Sequence, residues 1–395
     1  MFPSGALVSL DFAQCLADMA SVQPVLIYAP GPRETIEGVA ATRSRLLVAL
    51  YRNVRGSAVV FRFAEGGWRS TPLPLPENAS VSLIATSDRD DSAFLDVAGY
   101  LLPNTLYLAD LASGATEPVK SLPARFDGSK AMVEQFDATS KDGTQIPYFV
   151  VRPRDLAPTD TGDGNAPTLL YGYGGFQVSM NPAYSGALGK SWLEPGGVYV
   201  VANIRGGGEF GPAWHQAALK EHRQRAYDDF IAVAEDLIAR KITSPRRLGI
   251  MGGSNGGLLM GVMLTQRPDL FRAIVCQVPL LDMLRFHKLL AGASWMAEYG
   301  DPDKPEDAVF LRRISPYHNL RAGMAYPEVF FLTSTKDDRV HPGHARKMGA
   351  KMASMGLPFL YYENTDGGHA AAANLKERAR RNALEFTYLF EKLVD

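Results

Sequence analysis

The 395-residue chain has only two cysteines, Cys15 and Cys276, which argues against a disulfide framework or a cysteine-built metal centre. Cys276 lies in the apolar run Ala273–Val278, where a buried, unreactive thiol is expected. Charge of one sign is also lacking. The 41 basic and 42 acidic residues nearly cancel, which argues against nucleic acid and anionic membrane as partners. No apolar run is long enough to cross a membrane. Residues 1–20 lack a basic segment followed by a continuous apolar one, so no secretory leader is expected. A cytoplasmic location follows as an expectation, with the periplasm left open if a leader precedes this stretch in the natural protein. No cofactor and no metal are expected, and the oligomeric state is not readable. What the chain does have is 46% hydrophobic and 21% charged residues, ordinary for a globular protein with large cores.

The most informative stretch is Arg247–Met260. Leu248, Ile250 and Met251 read as the end of a buried strand, and Gly252-Gly-Ser-Asn-Gly256 follows with no room for a long loop. From Asn255 to Gln266, Leu258, Leu259, Val262 and Met263 recur at helical spacing. A strand, Gly-x-Ser-x-Gly and a helix in immediate succession is the nucleophile-elbow arrangement. The turn is tight enough that side chains at Gly252 and Gly256 would clash, and it exposes a strained Ser254 above the sheet edge. The helix N-terminus turns backbone N–H groups toward the same place, which favours developing negative charge. The bland alternative is an ordinary Gly-rich turn after a strand.

Residues 1–127 read as short strands: Ala6–Phe12, Pro24–Tyr28, Arg45–Tyr51, Ala58–Phe63, Ser80–Ala85, Ala93–Val97, Thr105–Leu108 and Pro118–Leu122. The spacing fits β-propeller blades of about 40–50 residues. Such a segment holds at most about three blades, whereas closed propellers take roughly four to eight. The favoured expectation is therefore that the chain is the C-terminal part of something longer, since open blades leave exposed edges. From Phe126 the pattern changes. Ala131–Ala138 and Ile146–Arg152 flank the hairpin signal Asp142-Gly143, and the polar stretch Asp160–Asn165 reads as a surface loop. Strands at Thr168–Tyr171, Val198–Asn203, Leu248–Met251, Ala273–Val278, Val329–Thr333 and Phe359–Tyr362 then alternate with helices, among them Asp229–Arg240, Pro342–Met355 and Leu375–Leu393. This alternation means a doubly wound, mostly parallel sheet over 128–395, an α/β-hydrolase fold class preceded by an all-β partial propeller over 1–127. Sites in such folds lie at the carboxyl ends of strands.

An elbow serine needs a histidine to take its proton and a carboxylate to orient that histidine, in the chain order Ser, Asp or Glu, His. After the strand Val329–Thr333 comes Ser334-Thr-Lys-Asp-Asp-Arg339, which offers Asp337 and Asp338. Spacing does not choose between them. After Phe359–Tyr362 comes Glu363-Asn-Thr-Asp-Gly-Gly-His369. Of the seven histidines, only His369 follows the last strand and precedes the last helix. His341 and His344 fall too close to Asp337 for the expected order, and His215, His222, His287 and His318 read as surface or packing residues. The tetrahedral intermediate needs donors: the Asn255 N–H by elbow geometry, and a second from the loop Tyr171-Gly-Tyr-Gly-Gly-Phe176, whose glycines admit close approach.

Tyr171–Phe176, Ala202-Asn-Ile-Arg-Gly-Gly-Gly-Glu-Phe-Gly211, Gly252–Gly257, Asp337-Asp-Arg-Val340 and Gly367-Gly-His369, in this order, resemble the prolyl oligopeptidase family of serine peptidases. The resemblance spans 128–395 and extends more weakly into 1–127, which is similar to the last blades of that family's propeller. It implies Ser254 as nucleophile, Asp337 as the triad acid, His369 as base, and the Tyr173 hydroxyl as second oxyanion donor beside the Asn255 N–H. It implies an apolar pocket for the residue before the cleaved bond at Phe176, Val278, Trp295, Tyr299 and Val340, with Arg339 binding a substrate carbonyl. One departure is large: most of the propeller, and the N-terminal segment that packs on the hydrolase domain, have no counterpart here.

Proline is a flat, uncharged ring without a backbone N–H once bonded, so a dry aromatic slot can hold it by stacking and shape. Trp295 and Tyr299, four apart, share a face if their stretch is helical. The related oligopeptidase specific for basic residues more often has a small residue where Asn255 stands. Glu298 and Asp301 lie close by in sequence, however, and keep a basic specificity open. The favoured expectation is an endopeptidase cutting short peptides after proline through an acyl-enzyme. The alternatives are an oligopeptidase of other specificity or an esterase-like acyl hydrolase on the same triad, and a weakly active or inactive fragment.

Overall fold

Residues 2–156 and 162–394 are described in a computed structural model, and they divide into two units. Unit one comprises Met1–Ala124, Asn181–Ser185 and Gly208–Ala213; unit two comprises Arg125–Met180, Gly186–Gly207 and Trp214–Asp395. Among the described residues no helix is long and apolar enough to cross a membrane.

In unit one, β1 (Leu7–Ser9) and β2 (Val25–Tyr28) form a two-stranded ribbon. Two four-stranded antiparallel sheets follow. One runs in sequence order from β3 (Glu34–Ala41) through β4 (Leu46–Arg52) and β5 (Arg55–Ala64) to β6 (Gly67–Pro72). The other runs from β7 (Ala79–Thr86) through β8 (Ser92–Gly99) and β9 (Thr105–Asp110) to β10 (Ala115–Ser121). Both are meanders of the blade type, and Leu47, Val60, Val81, Leu95 and Val97 bury a shared core between them. The first expected strand is cut short. Asp11 accepts the Gln14 N–H at 2.9 Å and caps a helix over Phe12–Ala17, so Leu10 to Phe12 leave the sheet. Strands β3 and β6 have no counterpart among the expected ones. A register shift between Ile36 and Gly38 breaks the alternation of β3, and β6 is an edge strand with a mostly exposed, polar sequence.

Unit two is built on an eight-stranded sheet. In chain order its strands are β11 (Ala131–Thr139), β12 (Gln145–Pro153), β13 (Thr168–Gly172), β14 (Val198–Ala202), β15 (Leu248–Gly253), β16 (Ala273–Gln277), β17 (Val329–Ser334) and β18 (Phe359–Asn364). In space the order is β11-β12-β14-β13-β15-β16-β17-β18. β12 pairs antiparallel with both neighbours and every later pairing is parallel. The chain steps from β13 to β14 on one side and crosses to β15 on the other, so the winding reverses at β13. That is where this architecture opens a crevice at the carboxyl ends of its strands. The helix Asn255–Gln266 is buried for ten of its twelve residues, as its almost wholly apolar sequence requires. The helix expected at Asp229–Arg240 begins five residues earlier, at Gln224. In the expected polar loop Asp160–Asn165, residues 160 and 161 lie outside the described residues, while the Asn165 N–H donates to Asp163 at 2.9 Å.

Part of the Ala202–Gly211 motif is architectural. Arg205 donates to the fully buried Asp229 through Nη2 at 2.6 Å and to Asp142 through Nη1 at 2.6 Å, joining the β11–β12 turn to the helix Gln224–Ala239.

His344, in the helix Gly343–Ser354, is buried and accepts the N–H groups of Leu281 and Asp282 at 3.2 and 3.1 Å through Nδ1. Burial pushes it from 6.5 down to about 4; Asp282 opposes this, while Lys347 and His341 add to it. The neutral ring belongs to the folded state, so its contribution is complete above pH 6.5 and is lost as pH falls from 6.5 toward 4. The shift corresponds to roughly 3 kcal/mol. We expect the urea midpoint to drop between pH 7 and pH 5, and His344→Gln, which takes up no proton, to show a shallower drop.

Candidate active site

Ser254 stands between β15 and the helix Asn255–Gln266 with φ 60° and ψ −116°, a left-handed conformation that is strained for a residue with a side chain. A Cβ on Gly252 would come within 2.6 Å of the Gly256 carbonyl oxygen and one on Gly256 within 2.9 Å of the Gly172 carbonyl oxygen, so both glycines are needed for the turn to close. The Ser254 N–H donates to the Gln277 carbonyl at 3.0 Å, which ties the elbow to the end of β16. Asn255 is the first residue of the helix, where a backbone N–H has no acceptor within the helix.

Asp337 follows β17 and His369 follows β18, both beyond carboxyl ends of the parallel strands. The Asp337 side chain is wholly buried, and its Oδ1 accepts the N–H groups of Arg339 and Val340, each at 2.9 Å. His369 Nδ1 lies 2.8 Å from Oδ2 and 3.1 Å from Oδ1. An ionised carboxylate only accepts, so Nδ1 carries the proton and Nε2 is the nitrogen left to take one. Asp338 is exposed, so the geometry separates the two aspartates that spacing could not.

Tyr173 lines the same cavity as Ser254, and burial holds its phenol above the ordinary 10.0, so it remains an O–H donor. Asn255 Nδ2 donates to the Tyr173 carbonyl at 2.6 Å, while Asn255 Oδ1 accepts from the Tyr299 hydroxyl at 2.7 Å and from Arg223 Nη2. A cavity of about 240 Å³ opens here, lined by Tyr173, Phe176, Val178, Ser254, Leu280, Ser294, Trp295, Tyr299 and Arg339. The Phe176 and Tyr299 rings meet edge to face at 5.5 Å and 85°. Trp295 ends a 3₁₀ segment and Tyr299 ends the short helix Met296–Tyr299 that follows it, so both reach the cavity without sharing one α-helix.

Two of the expected pocket residues are placed differently. Neither Val278 nor Val340 borders the cavity around Ser254, and the Val340 N–H serves Asp337. Val178, Leu280 and Ser294 take part in the wall although no sequence signal marked them. The half-buried His215 and the buried Arg223 and Glu298 form a cluster against Asn255 and Phe176. Their partners are far apart along the chain, so only the fold brings them together. A larger hollow of about 880 Å³ between Lys130, Arg154 and Glu194 shares no residue with the elbow and holds no histidine. Among the described residues, His287, Asp301 and Asp303 come close enough to hold a cation, but Asp303 already lies 2.9 Å from Lys288 and 3.1 Å from His287.

An open, mostly parallel sheet, a strained serine at the turn from strand to helix, and an Asp–His pair at later strand ends define an α/β-hydrolase. The chain belongs to the prolyl oligopeptidase family: residues 184–394 match that family and residues 2–122 match its N-terminal beta-propeller domain. A protein of Sinorhizobium fredii described as an uncharacterized peptidase is 57% identical over 100% of this chain and 54% of its own length. The prolyl endopeptidase of Elizabethkingia miricola is 36% identical over 79% of this chain and 44% of its own. The solved structure of a post-proline cleaving enzyme from Rickettsia typhi is similar with a TM-score of 0.89 and 38% identity, covering 99% of this chain and 56% of that one. The chain thus spans about half the length of the curated relatives it matches.

Proposed function

We propose that this chain carries the hydrolytic centre of a serine endopeptidase that cuts short peptides on the carboxyl side of proline. The observation that carries this reading is the small aromatic-walled cavity that opens on Ser254 itself. His369 Nε2 takes the hydroxyl proton as Ser254 Oγ bonds to the carbonyl carbon, and Asp337 holds the imidazole in the required tautomer. The Tyr173 hydroxyl and the Asn255 N–H bind the oxyanion. His369 then passes its proton to the leaving nitrogen, and the C–N bond breaks to give the acyl-enzyme. Water, deprotonated by the same nitrogen, releases the acid and restores Ser254.

Proline before the bond is supported by the cavity's size and by its walls, Phe176, Trp295 and Tyr299. Specificity for a basic residue would need an available carboxylate. Glu298 is buried and engaged by Arg223 and His215, and neither it nor Asp301 lines the cavity. Arg339, which does line it, suits a substrate carbonyl. The names of two relatives, a prolyl endopeptidase and a post-proline cleaving enzyme, agree with this reading.

The test is a panel of chromogenic peptides with Pro, Ala, Phe or Arg before the bond, run beside a simple p-nitrophenyl ester. Preference for proline is the expected result. Equal turnover across the panel with fast ester cleavage would assign an esterase instead. Within the same panel, Trp295→Ala is expected to raise KM for the proline substrate by about tenfold, the cost of losing one aromatic contact of this kind. Ester hydrolysis should fall much less, and an equal fall on both substrates would mean that the fold, not the slot, was damaged.

A further inference from the structure

Phe176 and Gln177 are consecutive residues with left-handed backbones, φ 56° and 57°, and neither is glycine. Each such residue is strained, and it persists only where its surroundings hold it. The Phe176 N–H donates to Oε1 of Glu298 at 2.9 Å. Glu298 precedes Tyr299, whose ring meets the Phe176 ring edge to face. The same Oε1 accepts from Arg223 Nη1 at 2.8 Å, and Oε2 lies 2.7 Å from His215 Nε2. An ionised carboxylate only accepts, so His215 Nε2 is the protonated nitrogen. Arg223 is itself buried; its second terminal nitrogen donates to Asn255, and its guanidinium stacks over the Tyr299 ring at 5.2 Å.

We propose that Glu298 is a positioning residue for substrate specificity. It touches no substrate, yet it holds the strained Phe176 loop against Tyr299 and so fixes the gap between two walls of the pocket. Its charge is balanced by Arg223, which in turn pins the residue beside the nucleophile. A buried carboxylate is costly unless every lone pair is used, and here both oxygens accept. A group that only had to neutralise Arg223 would not need the bond to a strained loop on another element. The inference rests on the proposed proline pocket and deepens it.

The test compares Glu298→Ala with Glu298→Gln on a chromogenic X-Pro amide, with competent sites counted by fluorophosphonate titration. Gln keeps the side chain's length and one carbonyl oxygen for the Phe176 N–H. Glu298→Ala is expected to raise KM about tenfold, the typical effect of losing a hydrogen bond to a charged group, while kcat per titrated site changes by less than about threefold. Glu298→Gln is expected to restore most of the KM. A KM unchanged in the Ala variant, or equal in Ala and Gln, would overturn the proposal. If the Ala variant yields no titratable sites, Glu298→Asp takes its place. Its carboxylate is drawn back by one methylene and cannot reach Phe176 while holding Arg223, so the same KM rise is expected and a native KM would refute it. Failure of the parent reading looks different, since the unaltered protein would then take up no probe or show no proline preference.

Discussion

Asp337→Asn is expected to lower kcat/KM by about 10⁴, whereas Asp338→Asn leaves it nearly unchanged. The two residues are neighbours and of one type, but Asp337 is enclosed with its carboxylate on His369 Nδ1 and on two backbone N–H groups, and Asp338 faces solvent. The Asn amide would put an NH₂ where His369 needs an acceptor, or turn its oxygen away from the loop's N–H groups. Either way the imidazole loses the tautomer that presents a basic Nε2. Steady-state kinetics on one proline substrate suffices. A large loss in Asp338→Asn with little in Asp337→Asn would reverse the assignment.

Ser254→Ala is expected to cost still more, on the order of 10⁶ in kcat, because the hydroxyl of the cavity's other serine, Ser294, is engaged by the Ala291 carbonyl. Labelling by a fluorophosphonate should vanish with it. The variant retains a Cβ at the same strained position, so circular dichroism and melting temperature should stay close to those of the parent. Labelling that survives the substitution would move the nucleophile elsewhere, and a parent protein that never labels would leave a non-catalytic fragment as the reading.

The elbow was legible in the sequence because all its determinants are contiguous. Leu248–Met251 and the apolar spacing after Asn255 announce a strand and a helix, and two glycines permit only one kind of turn between them. The alternation of strands and helices over 128–395 was legible for the same reason, since each period is local. The pocket was legible only in part. Phe176, Trp295, Tyr299 and Arg339 line it while Val278 and Val340 do not, because which face of a loop turns inward depends on what packs against it. His215 read as a packing or surface residue, and Glu298 as a carboxylate that could receive a basic substrate. Their pairing with each other and with Arg223 joins segments distant in sequence, and no spacing rule reports it. In the first unit, β3 and β6 escaped because a bulge and a polar edge erase the two-residue period.

The amide of Asn255 has one further consequence. One end holds the backbone of Tyr173 and the other receives the Tyr299 phenol, so a pocket wall and the proposed oxyanion donor are joined through a single side chain. Changes at Tyr299 and at Asn255 are therefore not independent in this scaffold. A double-mutant cycle pairing Tyr299→Phe with Asn255→Ala should give strongly non-additive losses, and selection for a new preference at Tyr299 would have to pass through variants that turn over slowly before a compensating neighbour arrives.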